Sequence, residues 1–278
     1  MFKNPYGNVA LVTGASSGIG YETAHALGVL GFTVYGASRR GGESVSCGEG
    51  SVTMLQMDVT DERSVQSAVG SILEKEGRID ILVNCAGTGI AGAVEDCSGA
   101  EALRQMDVNY AGALRCIGAV LKNMRERENG LIVNIGSVGG IFSIPFQTLY
   151  SSSKYALEAL TEGLRVELRP WGVKAALVEP GDVKTGFTAA RVYAEKCKET
   201  AYGTRFTQAV KQMEHDEENG LPPNSVVKVV LRTIRSKNPP VRRTVGAIYK
   251  IFVFLKRLLP SRAVEALLET MYPKSNVK

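Results

Sequence analysis

The sequence predicts an α/β fold, a doubly wound parallel sheet with helices on both faces, on three observations. Short β-branched runs alternate with helix-length stretches up to residue 181. The runs are apolar throughout rather than at every second position, as in strands buried on both faces. The 278 residues are 44% hydrophobic and 22% charged with 30 glycines, the balance of a globular domain and not of a disordered, collagen-like or coiled-coil chain.

The elements follow in order. Strands are predicted at 9–12, 33–37, 52–59, 80–84, 131–135 and 174–178, with helices at 18–30, 62–76, 98–127 and 148–169 between them. Right-handed crossovers then build the parallel sheet. After residue 181 the alternation lapses. The stretch 182–225 is polar, ends in Leu221-Pro222-Pro223, and is expected to lie as a substrate-binding lid over the carboxyl edge of the sheet. A last strand at 241–246 closes a single domain over 1–246, and a helical C-terminal extension is expected at 247–278.

The first strand runs into Thr13-Gly14-Ala15-Ser16-Ser17-Gly18-Ile19-Gly20. Glycines at 14, 18 and 20 permit a tight turn, and the helix that follows offers free N–H groups and a positive dipole end to a pyrophosphate. A glycine turn between a strand and a helix at the start of a βαβ unit is the context a Rossmann-type dinucleotide site requires, with Gly14, Ser16, Ser17, Gly18, Ile19 and Gly20 as its residues. Where an acid would meet the ribose 2′-hydroxyl of NAD, the chain has Ser38-Arg39-Arg40. An arginine there can clamp a 2′-phosphate, so NADP(H) is the expected cofactor.

Tyr150-Ser151-Ser152-Ser153-Lys154 places a phenol and an ammonium four residues apart on one helix face. Bringing a phenol that ionises near pH 10 into use at neutrality takes roughly 4 kcal/mol of phenolate stabilisation, for which a neighbouring lysine has the right sign. By itself such a pair is an ordinary helix surface.

With the glycine turn, Asn84-Cys85-Ala86-Gly87, Asn109, Asn134-Ile135-Gly136-Ser137 and the Tyr150/Lys154 pair in one order, the sequence resembles the short-chain dehydrogenase/reductase family over about residues 8–185. The resemblance implies Tyr150 as acid/base and Lys154 as the residue that holds the nicotinamide ribose and tunes the tyrosine. It implies Ser137 as the donor to the substrate oxygen and Asn109 as the anchor of a proton-returning water chain. It further implies Asp58 and Val59 at the adenine, Asn84, Ala86 and Gly87 beside the adenine ribose, and Pro180, Gly181, Val183 and Thr185 facing the nicotinamide. Homodimerisation through the helices at 98–127 and 148–169 belongs to the same implication. No metal is required for hydride transfer to a carbonyl, whose developing charge Ser137 and Tyr150 can meet.

The remaining polar residues point elsewhere. His25 is expected to pack in the first helix and His215 to lie on a solvated acidic face. Five cysteines without CxxC spacing exclude a disulfide framework or zinc site, and the N-terminus lacks a secretory pattern, so a cytoplasmic enzyme is expected.

Net charge is +5, yet residues 228–278 carry twelve Lys/Arg against Glu265 and Glu269 alone. Within this tail Ile248, Ile251, Phe252, Leu255, Leu258 and Leu259 follow helical spacing between Lys250, Lys256 and Arg257, and Ser261 can cap a second helix to Met271. Core packing, a cover over the substrate cleft and peripheral contact with an anionic membrane are all open to such a helix. The layout is loosely similar to family members that act on steroids, retinoids and other lipophilic alcohols or ketones. Two rival functions are weaker. A non-catalytic NADP-sensing regulator has no need of Ser137, Tyr150 and Lys154 together, and a nucleic-acid binder lacks any recognised module.

Overall fold

The computed structural model describes residues 2–271; the rest of the predicted extension, 272–278, lies outside the described residues. Its frame is an eight-stranded sheet. The strands are β1 (Val9–Thr13), β2 (Thr33–Ser38), β3 (Val45–Cys47), β4 (Gly50–Gln56), β5 (Ile81–Asn84), β7 (Leu131–Ile135), β8 (Lys174–Glu179) and β10 (Arg242–Thr244), while β6 (Ile90–Ala91) and β9 (Val192–Tyr193) form a small second sheet. In space the order is β10-β8-β7-β5-β1-β2-β4-β3, with every pair parallel except β3–β4. The chain winds outward from β1 in both directions, so the switch point, where such sheets bind ligands, falls between β1 and β5.

The helices are α1 (Gly18–Val29), α2 (Glu62–Glu76), α3 (Gly99–Met106), α4 (Gly112–Glu126), α5 (Thr148–Glu167), α6 (Gly203–Glu218), α7 (Pro223–Arg235), α8 (Ala247–Leu258) and α9 (Ser261–Met271). Successive strand residues point to opposite faces. Ala10, Val12, Val83 and Val133 therefore pack with Leu27 of α1 and Val226, Val230 and Ile234 of α7. Leu11, Leu82 and Ile132 pack on the other face with Val65 and Ile72 of α2, Ile117 and Val120 of α4 and Leu164 of α5. Buried Asp80 pins the amino ends of the strands: it accepts from the Val9 N–H at 3.0 Å and pairs with Arg78 and Arg127.

Four expectations are corrected. The strand predicted at 52–59 ends at Gln56, because Asp58 turns the chain by accepting from the Thr60 N–H at 2.9 Å. An antiparallel edge strand, β3, joins β4 through Gly48-Glu49, a short turn between polar residues that carries little apolar signal. The helix predicted at 98–127 is interrupted at Asp107–Ala111 by a wider, π-helical turn. His25 is exposed and stacks on Tyr21 instead of packing inside.

The stretch after residue 181 is more structured than its composition implies. Val183 bridges to Leu221, β9 pairs with β6, and Phe206, Ala209, Val210 and Met213 of α6 form a separate apolar cluster with Ala91, Ala93 and Phe146. Buried Arg191 ties this segment down, pairing with Glu217, and Thr188 donates to the same carboxylate at 2.5 Å.

Candidate active site

Two turns at the switch point lie against each other. Gly14 adopts φ +67°, and a Cβ there would stand 2.9 Å from the Ala86 backbone, so only glycine lets the β1 and β5 turns touch. The Thr13 hydroxyl oxygen stitches them by accepting from the Cys85 and Ala86 N–H groups, each at 3.0 Å. A Cβ on Gly20 would fall on the Gly14 carbonyl oxygen, and one on Gly18 would meet Thr185 at 3.4 Å. Ser17 precedes α1 without capping it through its side chain. A cradle that any side chain would fill, at an uncapped helix start, fits a dinucleotide's pyrophosphate. Ser16 and Ile19 lie within the same turn and first helical residues.

Around this cradle stand the other expected cofactor residues. Arg39 and Arg40 are exposed at the end of β2, and Arg40 Nη2 is 3.4 Å from Ser16 Oγ. Ser38 is buried and donates to the Gly41 carbonyl. Hydrogen bonds from Thr60, helped by the nearby Arg39 and Arg115 charges, hold the Asp58 carboxyl below the usual carboxylate range, and the Val59 carbonyl accepts from Arg115. Asn84 donates to Asn134 Oδ1 at 2.9 Å, and Asn134 in turn donates to Thr161. Pro180 accepts from the Val138 N–H at 2.9 Å, which joins the β8 turn to the turn that carries Ser137.

The phenol, ammonium and hydroxyl converge beside the cradle. On α5 the Lys154 Nζ stands 5.8 Å from the Tyr150 ring centre and donates to the Ile135 carbonyl at 2.9 Å. A Cβ added to Gly139 would contact both Ser137 Oγ and Tyr150 Cε1 at 3.3 Å, so these two groups flank one small gap. A Cβ on Gly87 would lie 3.4 Å from Asn109 Oδ1 and 3.9 Å from Lys154 Nζ. The structure thus brings Gly87, Asn109, Ser137, Tyr150 and Lys154 together. Asn109 sits in the π-helical turn, where its side chain accepts from the Thr88 N–H at 2.9 Å and donates to the Thr88 carbonyl and Ser153 Oγ, each at 3.0 Å.

Burial dominates the electrostatics of the pair. Burial pushes the Tyr150 phenol up to about 12, with the Ser137 hydroxyl acting the other way. Burial likewise pulls the Lys154 ammonium down to about 8. Loss of water penalises the charged form of each and is the largest influence on both. Tyr150 is therefore held as a neutral phenol.

Glu158 lies one helical turn beyond Lys154, facing Glu179 of β8 and Arg242 of β10; Arg242 Nε donates to Glu158 at 2.7 Å and lies 3.3 Å from Glu179. Burial and then the Glu179 charge raise Glu158 from its ordinary 4.5 to about 7. Across that window the folded chain binds a proton that the unfolded chain has released, so stability falls as pH rises from about 4.5 through about 7. Glu158→Gln cannot ionise and is expected to flatten this slope, read as urea midpoints at about pH 5 and about pH 8. An unchanged difference between the two midpoints would show that Glu158 does not titrate there.

Sequence reasoning missed Tyr249. Its ring lies on the Cα of Gly181 and beside Gly246, and its hydroxyl donates to Asp182 Oδ2 at 2.6 Å and accepts from the Asp182 N–H at 3.1 Å. Helix α8 is thereby fastened to the segment expected to face the nicotinamide. A single tyrosine in an amphipathic stretch carries no signal of this. Phe187, whose ring centre is 5.6 Å from that of Tyr150, falls within the predicted lid 182–225.

A groove shaped for a dinucleotide beside a phenol able to pass a proton is what hydride exchange with a nicotinamide needs, so fold and site together define an oxidoreductase. Residues 8–196 match the short chain dehydrogenase family, and the chain belongs to that family, which uses a nicotinamide cofactor. It is 40% identical over 266 residues to a 3-ketodihydrosphingosine reductase of Bacteroides thetaiotaomicron, across 95% of this chain and 97% of the relative. It is 34% identical over 251 residues to 17-beta-hydroxysteroid dehydrogenase type 1 of Homo sapiens, covering 84% and 76% of the two chains. Among solved structures, a short-chain dehydrogenase from Streptomyces avermitilis superposes with a TM-score of 0.80 at 30% identity, over 96% of this chain and 97% of that one.

Proposed function

We propose that the chain is an NADPH-dependent reductase of a lipophilic ketone, with a long-chain ketone of the 3-ketodihydrosphingosine type as its leading substrate. The observation that carries the reading is the convergence of the Tyr150 phenol with Ser137 and Lys154 beside the glycine cradle, because reduction of a ketone needs a proton donor next to a second group that hydrogen-bonds the developing oxyanion. Similarity to the Bacteroides reductase over nearly the whole of both chains, and to a steroid dehydrogenase, supports the substrate class.

In this reading Tyr150 gives its proton to the carbonyl oxygen while Ser137 hydrogen-bonds that oxygen, so the charge that develops there meets two donors. Lys154, through its ammonium, stabilises the phenolate left behind and holds the nicotinamide ribose. Asn109 anchors the water through which Tyr150 is reprotonated by way of Lys154. Bound NADPH supplies the hydride from C4 of its nicotinamide. Gly14, Ser16, Ser17, Gly18, Ile19 and Gly20 hold the pyrophosphate, Asp58, Val59, Asn84, Ala86 and Gly87 the adenosine end, and Pro180, Gly181, Val183 and Thr185 the nicotinamide. The domain at 1–246 carries all of these residues, with 182–225 as its lid. A homodimer through α4 and α5 fits their outer faces, which expose Leu114 and Val166.

Arg39 and Arg40 favour NADP(H), since they stand beside Asp58 and Ser16 and no acid follows β2 where NAD would be read. Titration is expected to show NADPH bound at least ~10-fold more tightly than NADH, and Arg39→Asp is expected to reverse the order. NADPH oxidation, followed across 3-ketodihydrosphingosine, steroid ketones and retinals, tests the substrate. Tight NADPH binding without oxidation by any of them would overturn the reductase reading, and equal binding of NADH would overturn the cofactor assignment.

A further inference from the structure

Helix α8 is apolar almost all round, and the structure shows which part of that surface is used. Its inner face is committed: Tyr249 packs on Gly181 and bonds Asp182, Val253 is buried, and Lys256 lies 5.2 Å from the ring centres of Phe142 and Tyr155 and donates to the Tyr155 hydroxyl oxygen at 2.6 Å. The opposite face is bare. Ile248, Ile251, Phe254 and Leu258 remain 56%, 57%, 60% and 66% exposed. At 3.6 residues per turn they form one stripe along the helix. Most of the apolar pattern visible in the sequence thus faces outward, while the side that carries Tyr249 and Val253 packs on the domain.

The charges around the stripe indicate what covers it. Lys250 and Arg257 are exposed along one flank and Arg262 follows at the start of α9, while α8 itself contains no acidic residue. Apolar side chains bordered by cations match the hydrocarbon and headgroup layers of an anionic bilayer. No helix among the described residues is long and apolar enough to cross a membrane, so the contact is one of lying on the surface. We propose that the outer face of α8, Ile248–Ile251–Phe254–Leu258 with Lys250 and Arg257, docks the protein on an anionic phospholipid bilayer. Because Tyr249 fastens the same helix to Gly181 and Asp182, the docked surface adjoins the β8 turn beside the cofactor groove, where a membrane-resident substrate can be passed from bilayer to site without crossing water.

The test uses the full chain and vesicles of equal parts phosphatidylglycerol and phosphatidylcholine. The protein is expected to sediment with these vesicles, to sediment far less with phosphatidylcholine alone, and to be released by added salt. The double variant Ile251→Glu/Phe254→Glu is expected to partition at least roughly tenfold more weakly onto the anionic vesicles, with melting temperature and NADPH affinity unchanged. Failure of the native protein to sediment overturns the proposal. So does equal sedimentation of the variant, or light scattering in which the variant alone drops to a smaller assembly, which would make the stripe an interface between copies of this chain.

Discussion

Tyr150→Phe is expected to lower ketone turnover by at least ~100-fold while leaving NADPH affinity within about twofold of the native value. The substitution removes one oxygen and keeps the ring, so the contact with Phe187 and the position under Lys154 survive. What disappears is the phenol bracketed by Ser137 and Lys154, and with it the proton that the carbonyl oxygen must receive. Ser137 can still donate a hydrogen bond, which leaves residual activity and not a complete loss. Steady-state rates with fluorescence titration of NADPH separate the two quantities. Near-native turnover in the variant would remove Tyr150 from the proton-donor role.

The second large effect is expected at Gly20. In Gly20→Val the new Cβ would fall on the Gly14 carbonyl oxygen and close on that of Thr13, which are backbone atoms that no rotamer change can move aside. The β1–α1 turn must open, and because Gly14 is already in contact with Ala86, the neighbouring turn at β5 is displaced with it. NADPH affinity is expected to fall at least ~100-fold, since the N–H groups and helix start that receive the pyrophosphate lose their common geometry. Gly70→Ala is the matched control: it lies in α2 with nothing within 4 Å of the added carbon, so binding should be native and stability slightly higher. Native NADPH affinity in Gly20→Val would show that the turn is not the cofactor's cradle.

Much of the candidate site is legible before any coordinates. Tyr150 and Lys154 are four apart in a helical stretch, which alone puts them on one face, and the glycine turn lies between a recognisable strand and helix. Distances across the chain are not legible. Asn109 reads as an ordinary helical residue, and nothing local announces the π-helical turn that lets its amide grip both backbone groups of Thr88. The direction in which burial moves these two groups is not legible for a related reason. Charge sign is written in the sequence, but loss of water, the largest influence on both Tyr150 and Lys154, depends on tertiary packing.

The sequence by itself determined the alternation of strands and helices, and with it the parallel sheet and its switch point, because strands buried on both faces must be apolar at successive residues and crossovers have one hand. Only the tertiary structure decided the fate of the C-terminal third. The helically spaced apolar stripe of α8 is not the side that turns inward, since Val253 is buried while Ile248, Ile251 and Leu258 stay exposed. The choice is made by its neighbours: Gly181 and Gly246 lack side chains and leave space for the Tyr249 ring, Asp182 offers its hydroxyl a partner, and Phe142 and Tyr155 receive Lys256. Those contacts turn Val253 inward and leave Ile248, Ile251, Phe254 and Leu258 facing out, an outcome set by complementary surfaces far apart in the chain.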